Sequence, residues 1–270
     1  MPELPEVETA RRGIAPHIAG AQVTDVIVRD RRLRWPVEKG LERKLRGSTL
    51  LAITRRAKYL QLEFSSGTVL LHLGMSGHLR VVPPETAVQK HDHVDIVFDN
   101  GHCLRFNDPR RFGSLHFTQA PETHPLIAPL GPEPLDAEFD GDYLFRASRK
   151  RKLAVKLFIM NSHIVVGVGN IYASEALFLA GIRPGRAAGR VTRAEYARLA
   201  QAIKDVLKRA IEKGGTTLRD FTKPDGTDGY FRIELDVYGR AGEPCHRCGN
   251  PIRQRAMGQR ATYWCSNCQR

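Results

Sequence analysis

The 270 residues carry 42 Lys and Arg against 29 Asp and Glu, a formal charge of +13 and a pI near 9.8. Such a balance favours a polyanionic partner, and no apolar run approaches the ~18 residues of a membrane-spanning helix. Four of the five cysteines fall in the last 26 residues, and the N-terminus has neither the cationic nor the apolar part of a secretory leader. The chain is therefore expected in a reducing cytosol, with its cysteines serving something other than disulfides.

The chain opens MPELPEVE, an acidic start to a basic protein. Pro5 at a first helical position, with Glu6 and Glu8 in the first turn, predicts a helix whose dipole favours those charges. Val7, Ala10, Ile14 and Ile18 form its apolar stripe, and Pro16 should loosen it late. Pro2 and Glu3 are left ahead of it, free for chemistry.

Residues 21–118 read as seven or eight short strands, including AQVTDVIVRD, TLLAITRRAKYLQLEF, TVLLHL, HVDIVF and HCLRF. Turn residues separate them, among them Ser66-Gly67, Gly74 to Gly77 and Asp99-Asn100-Gly101, and the spacing predicts a β-sandwich or barrel. In KYLQLEF, Lys58 would either share a strand face with Leu60, Leu62 and Phe64, which would partly desolvate its amine, or sit just outside the strand and be solvated. The proline-rich segment 120–141 reads as an inter-domain connection. Beyond it, SRKRKLAVK concentrates Arg149, Lys150, Arg151, Lys152 and Lys156, either as a solvated helix start or as a phosphate contact. GVGNIYASE sets Gly167 and Gly169 before a helix start at Asn170, a turn suited to an anion but lacking the Lys-Ser/Thr ending of a nucleotide loop. That helix should stop at Gly181. A longer one should follow, capped by Thr192 and Glu195, buried through Tyr196, Leu199, Ile203, Val206, Leu207 and Ile211, and stopped at Gly214.

Three features carry chemistry. Cys245-x-x-Cys248, then sixteen residues, then Cys265-x-x-Cys268 is a zinc-ribbon spacing, with a β-hairpin expected between the pairs. Four thiolates close the coordination shell, so a single structural Zn²⁺ is expected, and Arg253, Arg255, Arg260 and Arg270 make the module basic. NDPRRFG and HLGMSG place Arg110, Arg111, Phe112 and Met75 on turns, side-chain types that can replace an extruded base in a duplex. Removal of Met1 would leave Pro2 with a secondary amine, and α-amino groups have pKa values of about 7.7–8.0 against about 10.4 for lysine. Such an amine can attack a sugar C1′ and form a cationic imine, with Glu3 moving the required proton.

Taken together, MPELPEVE, Lys58, HLGMSG, KHDHVD, NDPRRFG, GVGNIYASE, GGTTLRDF and the terminal ribbon resemble the formamidopyrimidine-DNA glycosylases along the full chain. The resemblance implies an α+β multidomain fold: helix plus β-sandwich over 1–130, a helix–two-turn–helix domain over 131–235 and a zinc finger over 236–270. It implies a bifunctional DNA repair enzyme that excises oxidised purines and cuts the abasic strand by β,δ-elimination. By motif, Pro2 would be the Schiff-base nucleophile, Glu3 the proton donor, Lys58 the β-elimination lysine and Arg260 the δ-elimination arginine. Met75, Arg110 and Phe112 would fill the void left by a flipped base, and His91, Lys152 and Asn170 would contact DNA. TTLRDFTKPDGTDGY resembles the loop over the extruded base, with Arg219 where the family pattern has lysine. The implied partner is damaged double-stranded DNA, met by a monomer without membrane or nucleotide cofactor. Two alternatives stay open: an endonuclease VIII-like enzyme for oxidised pyrimidines, and a zinc-ribbon DNA-binding factor without catalysis.

Overall fold

The computed structural model describes residues 2–214 and 235–270. They form two units, one of residues 2–128 and one of residues 129–213 with 235–270. The segment containing Arg219 lies outside the described residues.

The first unit contains α1 (Leu4–Ile18), β1 (Val23–Val28), α2 (Leu41–Leu45), β2 (Leu50–Arg56), β3 (Tyr59–Phe64), β4 (Gly67–His72), β5 (His78–Val82), β6 (Asp92–Phe98), β7 (Cys103–Asn107) and β8 (Ser114–Thr118). Two antiparallel four-stranded sheets, ordered β1-β6-β7-β5 and β2-β3-β4-β8, make a sandwich and not a barrel. Strand alternation supplies the core: Leu60, Leu62 and Phe64 from one sheet, Val94, Ile96, Phe98, Leu104 and Phe106 from the other. The stripe Val7, Ala10, Ile14 and Ile18 of α1 joins the same core. Asn100-Gly101 makes the β6–β7 turn, with Gly101 at φ 79°. Cys103 is fully buried on β7, and burial together with the nearby Asp95 carboxylate pushes its thiol up to about 12.

Three sequence expectations change here. The helix starts at Leu4, so Pro5 is its second residue, where an amide hydrogen is still unneeded. It also passes through Pro16 to Ile18, because a missing bond so near the C-terminus costs little of the ladder. TLLAITRRAKYLQLEF is two strands, not one run: Arg56 pairs with Tyr59 across a turn of Ala57 and Lys58. Lys58 therefore sits in a hairpin turn ahead of the apolar face formed by Leu60, Leu62 and Phe64.

The second unit contains α3 (Gly141–Ser148), α4 (Val155–Ile159), α5 (Asn170–Ala180), α6 (Arg193–Glu212), β9 (Ile252–Met257) and β10 (Arg260–Cys265). The predicted capping box of α6 is present: Thr192 N–H donates to Glu195 Oε2 at 2.8 Å and Glu195 N–H to Thr192 Oγ1 at 3.3 Å. Its six expected apolar residues are all buried. Gly181 ends α5 in the left-handed region at φ 72°. The basic stretch after Ser148 is a loop between α3 and α4 and not a helix start, since Arg149 caps α3 and α4 begins only at Val155. The ribbon hairpin packs Cys245, Ile252 and Cys265 with Val237 against Phe178 of α5. Among the described residues, no helix is long and apolar enough to cross a membrane.

Candidate functional site

In the first unit, the sequence-selected residues stand at the start of α1 and on turns at strand ends. Pro2 is half-buried and lies outside the helix. Glu3 is its N-cap, only 2% exposed, and a capping box joins it to Glu6, whose Oε2 accepts the Glu3 amide at 2.8 Å. Glu3 is thus built into the helix start, not left ahead of it. Glu8 does more than complement the helix dipole. It binds Arg11 at 2.8 Å and faces Arg55 of β2 at 3.4 Å, and Arg55 Nη1 donates to the Ala57 carbonyl at 2.9 Å. Burial opposes the charge of Glu8, but these guanidinium groups hold its pKa below the ordinary carboxylate value. A chain of contacts therefore runs from α1 to the turn that carries Lys58.

Asp108 brackets the remaining turns. It is fully buried, and its Oδ1 accepts Ser76 Oγ–H at 2.7 Å while Oδ2 accepts the Gly113 amide at 2.7 Å. Its own amide donates to the His91 carbonyl at 3.1 Å. One carboxylate thus fastens the Met75 turn to the Arg110–Phe112 turn, and the adjoining amide holds His91. Hydrogen bonds to a charged group contribute about 1.5–3 kcal/mol each. The two turns also touch: a Cβ on Gly74 would lie 2.4 Å from the Phe112 carbonyl carbon and the Gly113 nitrogen, so only glycine fits. Phe112 stays 42% exposed, with the Arg110 guanidinium 4.8 Å above its ring. The next turn back is held by His72, whose Nδ1 accepts the Gly74 amide at 3.0 Å and whose ring lies 4.8 Å from that of Tyr59. Burial first, and then the charges of Lys58 and Arg34, lower the His72 pKa to about 4. Its imidazole is therefore neutral at pH 7.

The backbone marks the same places. Among the described residues five non-glycines have positive φ: Ala57, His91, Arg111, Lys150 and Gln259. Each is, or stands within two residues of, a residue picked from the sequence: Lys58, His91, Arg110 and Phe112, Lys152, and Arg260. Left-handed backbone costs an L-residue about 1–2 kcal/mol and persists where surrounding contacts over-determine it, most often at functional sites.

The second unit assembles its own set. Lys152 is exposed on the α3–α4 loop, and Arg260 is exposed at the start of β10, after a Gly258-Gln259 turn with both φ values positive. Asn170 opens α5, and its Nδ2 donates to the Ala261 carbonyl at 3.0 Å, which ties it beside Arg260. Lys156 is no surface cation. It is fully buried, and Nζ donates to Asn170 Oδ1 at 2.6 Å, Thr262 Oγ1 at 2.7 Å and the Ala261 carbonyl at 3.1 Å. The apolar neighbours in LAVKLF were the signal that it points inward. Glu175 was also missed; it accepts the amides of Asp236, Val237 and Tyr238 at 2.8–3.0 Å. Burial raises its pKa against the pull of those three donors.

Cys245, Cys248, Cys265 and Cys268 converge, all four sulfurs lying within 4.8 Å of one another. The Cys245–Cys268 and Cys248–Cys265 separations are 3.9 and 3.5 Å. A tetrahedral ion with metal–sulfur bonds of about 2.3 Å sets sulfurs about 3.8 Å apart, so these residues fit such an ion. Asn250 Nδ2 donates to Cys248 Sγ at 3.5 Å, an outer contact of the kind that orients a thiolate ligand.

Family models match three stretches of the chain: the formamidopyrimidine-DNA glycosylase N-terminal domain at residues 1–115, the H2TH domain of the same proteins at 130–222, and a zinc finger found in FPG and IleRS at 242–270. The formamidopyrimidine-DNA glycosylase of Thioalkalivibrio sulfidiphilus is 61% identical and that of Nitrosococcus oceani 60% identical, each over all of both chains. Among solved structures, Lactococcus lactis Fpg in complex with DNA containing an abasic site is 32% identical, with a TM-score of 0.90 over 99% of each chain. MutM (FPG) of Thermus thermophilus is 38% identical, with a TM-score of 0.87 over 99% of this chain and 98% of that one.

Proposed function

Because the chain belongs to the formamidopyrimidine-DNA glycosylase family, we propose that it is a base-excision-repair enzyme that removes oxidised purines from duplex DNA and then cuts the abasic strand. Its substrates are formamidopyrimidines, named by its relatives and by solved complexes of Lactococcus lactis Fpg with Fapy-dG DNA, and 8-oxoguanine, which the family resemblance implies. The observation that carries this reading is the pairing of a half-buried Pro2, outside the helix, with a deeply buried Glu3 that caps it.

Extruding a base costs a few kcal/mol, least at a damaged pair. Met75, Arg110 and Phe112 sit on turns fastened to one another, as residues replacing a lost base must be. The Pro2 amine, exposed by removal of Met1, attacks C1′ with its lone pair. The glycosidic C1′–N bond breaks and its electrons leave with the base; the C1′–O4′ bond then opens, its electrons going to O4′, and Glu3 moves the proton that O4′ takes up. The resulting imine acidifies C2′. Lys58 serves loss of the C2′ proton, after which the C3′–O bond breaks. Arg260 grips phosphate for the second elimination, which breaks the C5′–O bond. His91, Lys152 and Asn170 hold the DNA backbone. A Zn²⁺ on the four cysteines would supply folding energy to the hairpin that carries Arg260. We take the enzyme to act as a monomer in the bacterial cytoplasm, with the sandwich, helical and ribbon segments dividing near residues 130 and 235.

Borohydride trapping on an 8-oxoguanine duplex tests this reading. The processed chain should form a covalent adduct at Pro2, identified by mass. Chain that retains Met1 should lose it. Trapping at another residue overturns the nucleophile assignment, and faster action on thymine-glycol duplexes overturns the substrate class.

A further inference from the structure

On the outer face of the β1-β6-β7-β5 sheet the central strands β6 and β7 are buried, and what they bury is charge. Arg105 on β7 is 0% exposed. Its Nε and Nη2 donate to the two oxygens of Asp95 on β6 at 3.0 and 2.9 Å. Arg29, just beyond β1, reaches the same carboxylate at 2.7 Å, and Arg80 on β5 reaches Asp92 at 2.7 Å. A ladder of ion pairs therefore crosses the whole sheet. Buried ion pairs do little for stability that apolar packing could not do equally well. The spare donors of this ladder indicate another role.

They run to the loop 83–91, which roofs the ladder and ends at His91. Arg105 Nη1 donates to the Thr86 and Ala87 carbonyls at 2.9 and 3.3 Å. Asn107 Nδ2 donates to the Lys90 carbonyl at 3.0 Å and to Asp92 Oδ1 at 2.8 Å. Asp92 Oδ2 accepts the Gln89 amide at 2.7 Å. The loop has no strand or helix of its own, so these ties and the Asp108 amide on the His91 carbonyl fix its backbone, including the His91 φ of 74°. Only the guanidinium fork can bind two carboxylate oxygens and two carbonyls at once; a lysine cannot.

We infer that Arg105, seconded by Asn107, is a positioning residue for DNA binding, acting from the sheet beneath the loop to hold the loop that presents His91. The inference rests on the reading that His91 contacts DNA. Neither Arg105 nor Asn107 touches substrate.

The test measures affinity for a duplex bearing a tetrahydrofuran abasic analogue, single-turnover excision at saturating DNA, and amide exchange. Arg105→Lys and Asn107→Ala should each weaken binding about tenfold, within the range of measured coupling energies. Excision at saturation should stay within twofold, and amides 86–91 should exchange faster while those of β6 and β7 hold. Combined with His91→Ala, each should add nothing to the loss from His91→Ala alone. Wild-type affinity in both positioning variants, or losses that add to that of H91A, overturns the inference while leaving the His91 reading intact. Wild-type affinity in H91A overturns the His91 reading itself. Should R105K fail to fold, the same readouts on N107A decide.

Discussion

The turns of the sandwich and the cysteine hairpin present their candidate site residues by opposite means. The Met75 and Arg110–Phe112 turns and the His91 loop hang from a sheet pair with its own apolar core, and a buried carboxylate, Asp108, fastens them. The Arg260 hairpin has a small cluster, Val237, Cys245, Ile252 and Cys265 against Phe178 with Cys248, Tyr263 and Cys268 packed on it, and β9 is exposed along four successive residues. Four cysteines placed to hold a metal stand at one end and the Lys156 ammonium at the other. A site can thus be mounted on a scaffold that folds by burial or on one that folds by coordination, and the two should fail differently.

The largest separation of the two should come from chelation. Stripping metal should release folding energy of about 10 kcal/mol or more from the hairpin. DNA affinity should fall at least about a hundredfold, with amide protection lost in β9 and β10 and retained in β1 to β8. Parallel loss of protection in both units would erase the contrast. Next in size is Gly74→Ala, which forces a Cβ onto the Phe112 backbone at 2.4 Å with φ at 65°. Left-handed strain and overpacking together should cost about 3 kcal/mol, read as a lower urea midpoint with little change in the hairpin.

A pH profile sharpens the sandwich side further. His72 has a folded pKa of about 4 against 6.5, so the unfolded chain takes up a proton that the native chain refuses. Stability should fall as pH drops from 6.5 towards 4, by about 2 kcal/mol at pH 5. His72→Asn, which can still accept the Gly74 amide, should remove its share of that fall in urea titrations at pH 7 and 5, leaving the share of His116, whose pKa burial also lowers. Asp92 and Asp95 do not confuse the reading, because their pKa values lie below the ordinary 3.8 and their contribution is lost only at lower pH. Smallest is Gln259→Gly on the hairpin side. It relieves left-handed strain at φ 60° and should raise stability by no more than about 1 kcal/mol in the metal-loaded protein.

What the sequence revealed followed from local chemistry. The CxxC spacing, the Thr192–Glu195 box, the Gly181 stop and the alternation of Leu60, Leu62 and Phe64 depend on near neighbours, and all appear as read. HLGMSG and NDPRRFG fall on turns between strands, as read. What was missed is non-local. Ala57 adopts a left-handed turn with no Gly or Asn to announce it, because strand pairing and Arg55 impose it. Lys156 looked like one more surface cation because its three acceptors lie at positions 170, 261 and 262. Asp108 gave a faint signal, an Asp-Pro step after a strand, but its role rests on Ser76 and Gly113, brought to it only by the fold.

The burial of Cys103 has a practical consequence. Its thiol, raised to about 12 and sealed in β7, is inert to alkylating reagents near neutral pH. The other four thiols form the cluster placed to hold a metal. A colorimetric thiol count on native protein therefore reports on the clasp alone: it stays silent with an ion bound, rises to four when the ion is withdrawn, and reaches five only once the sandwich itself has opened.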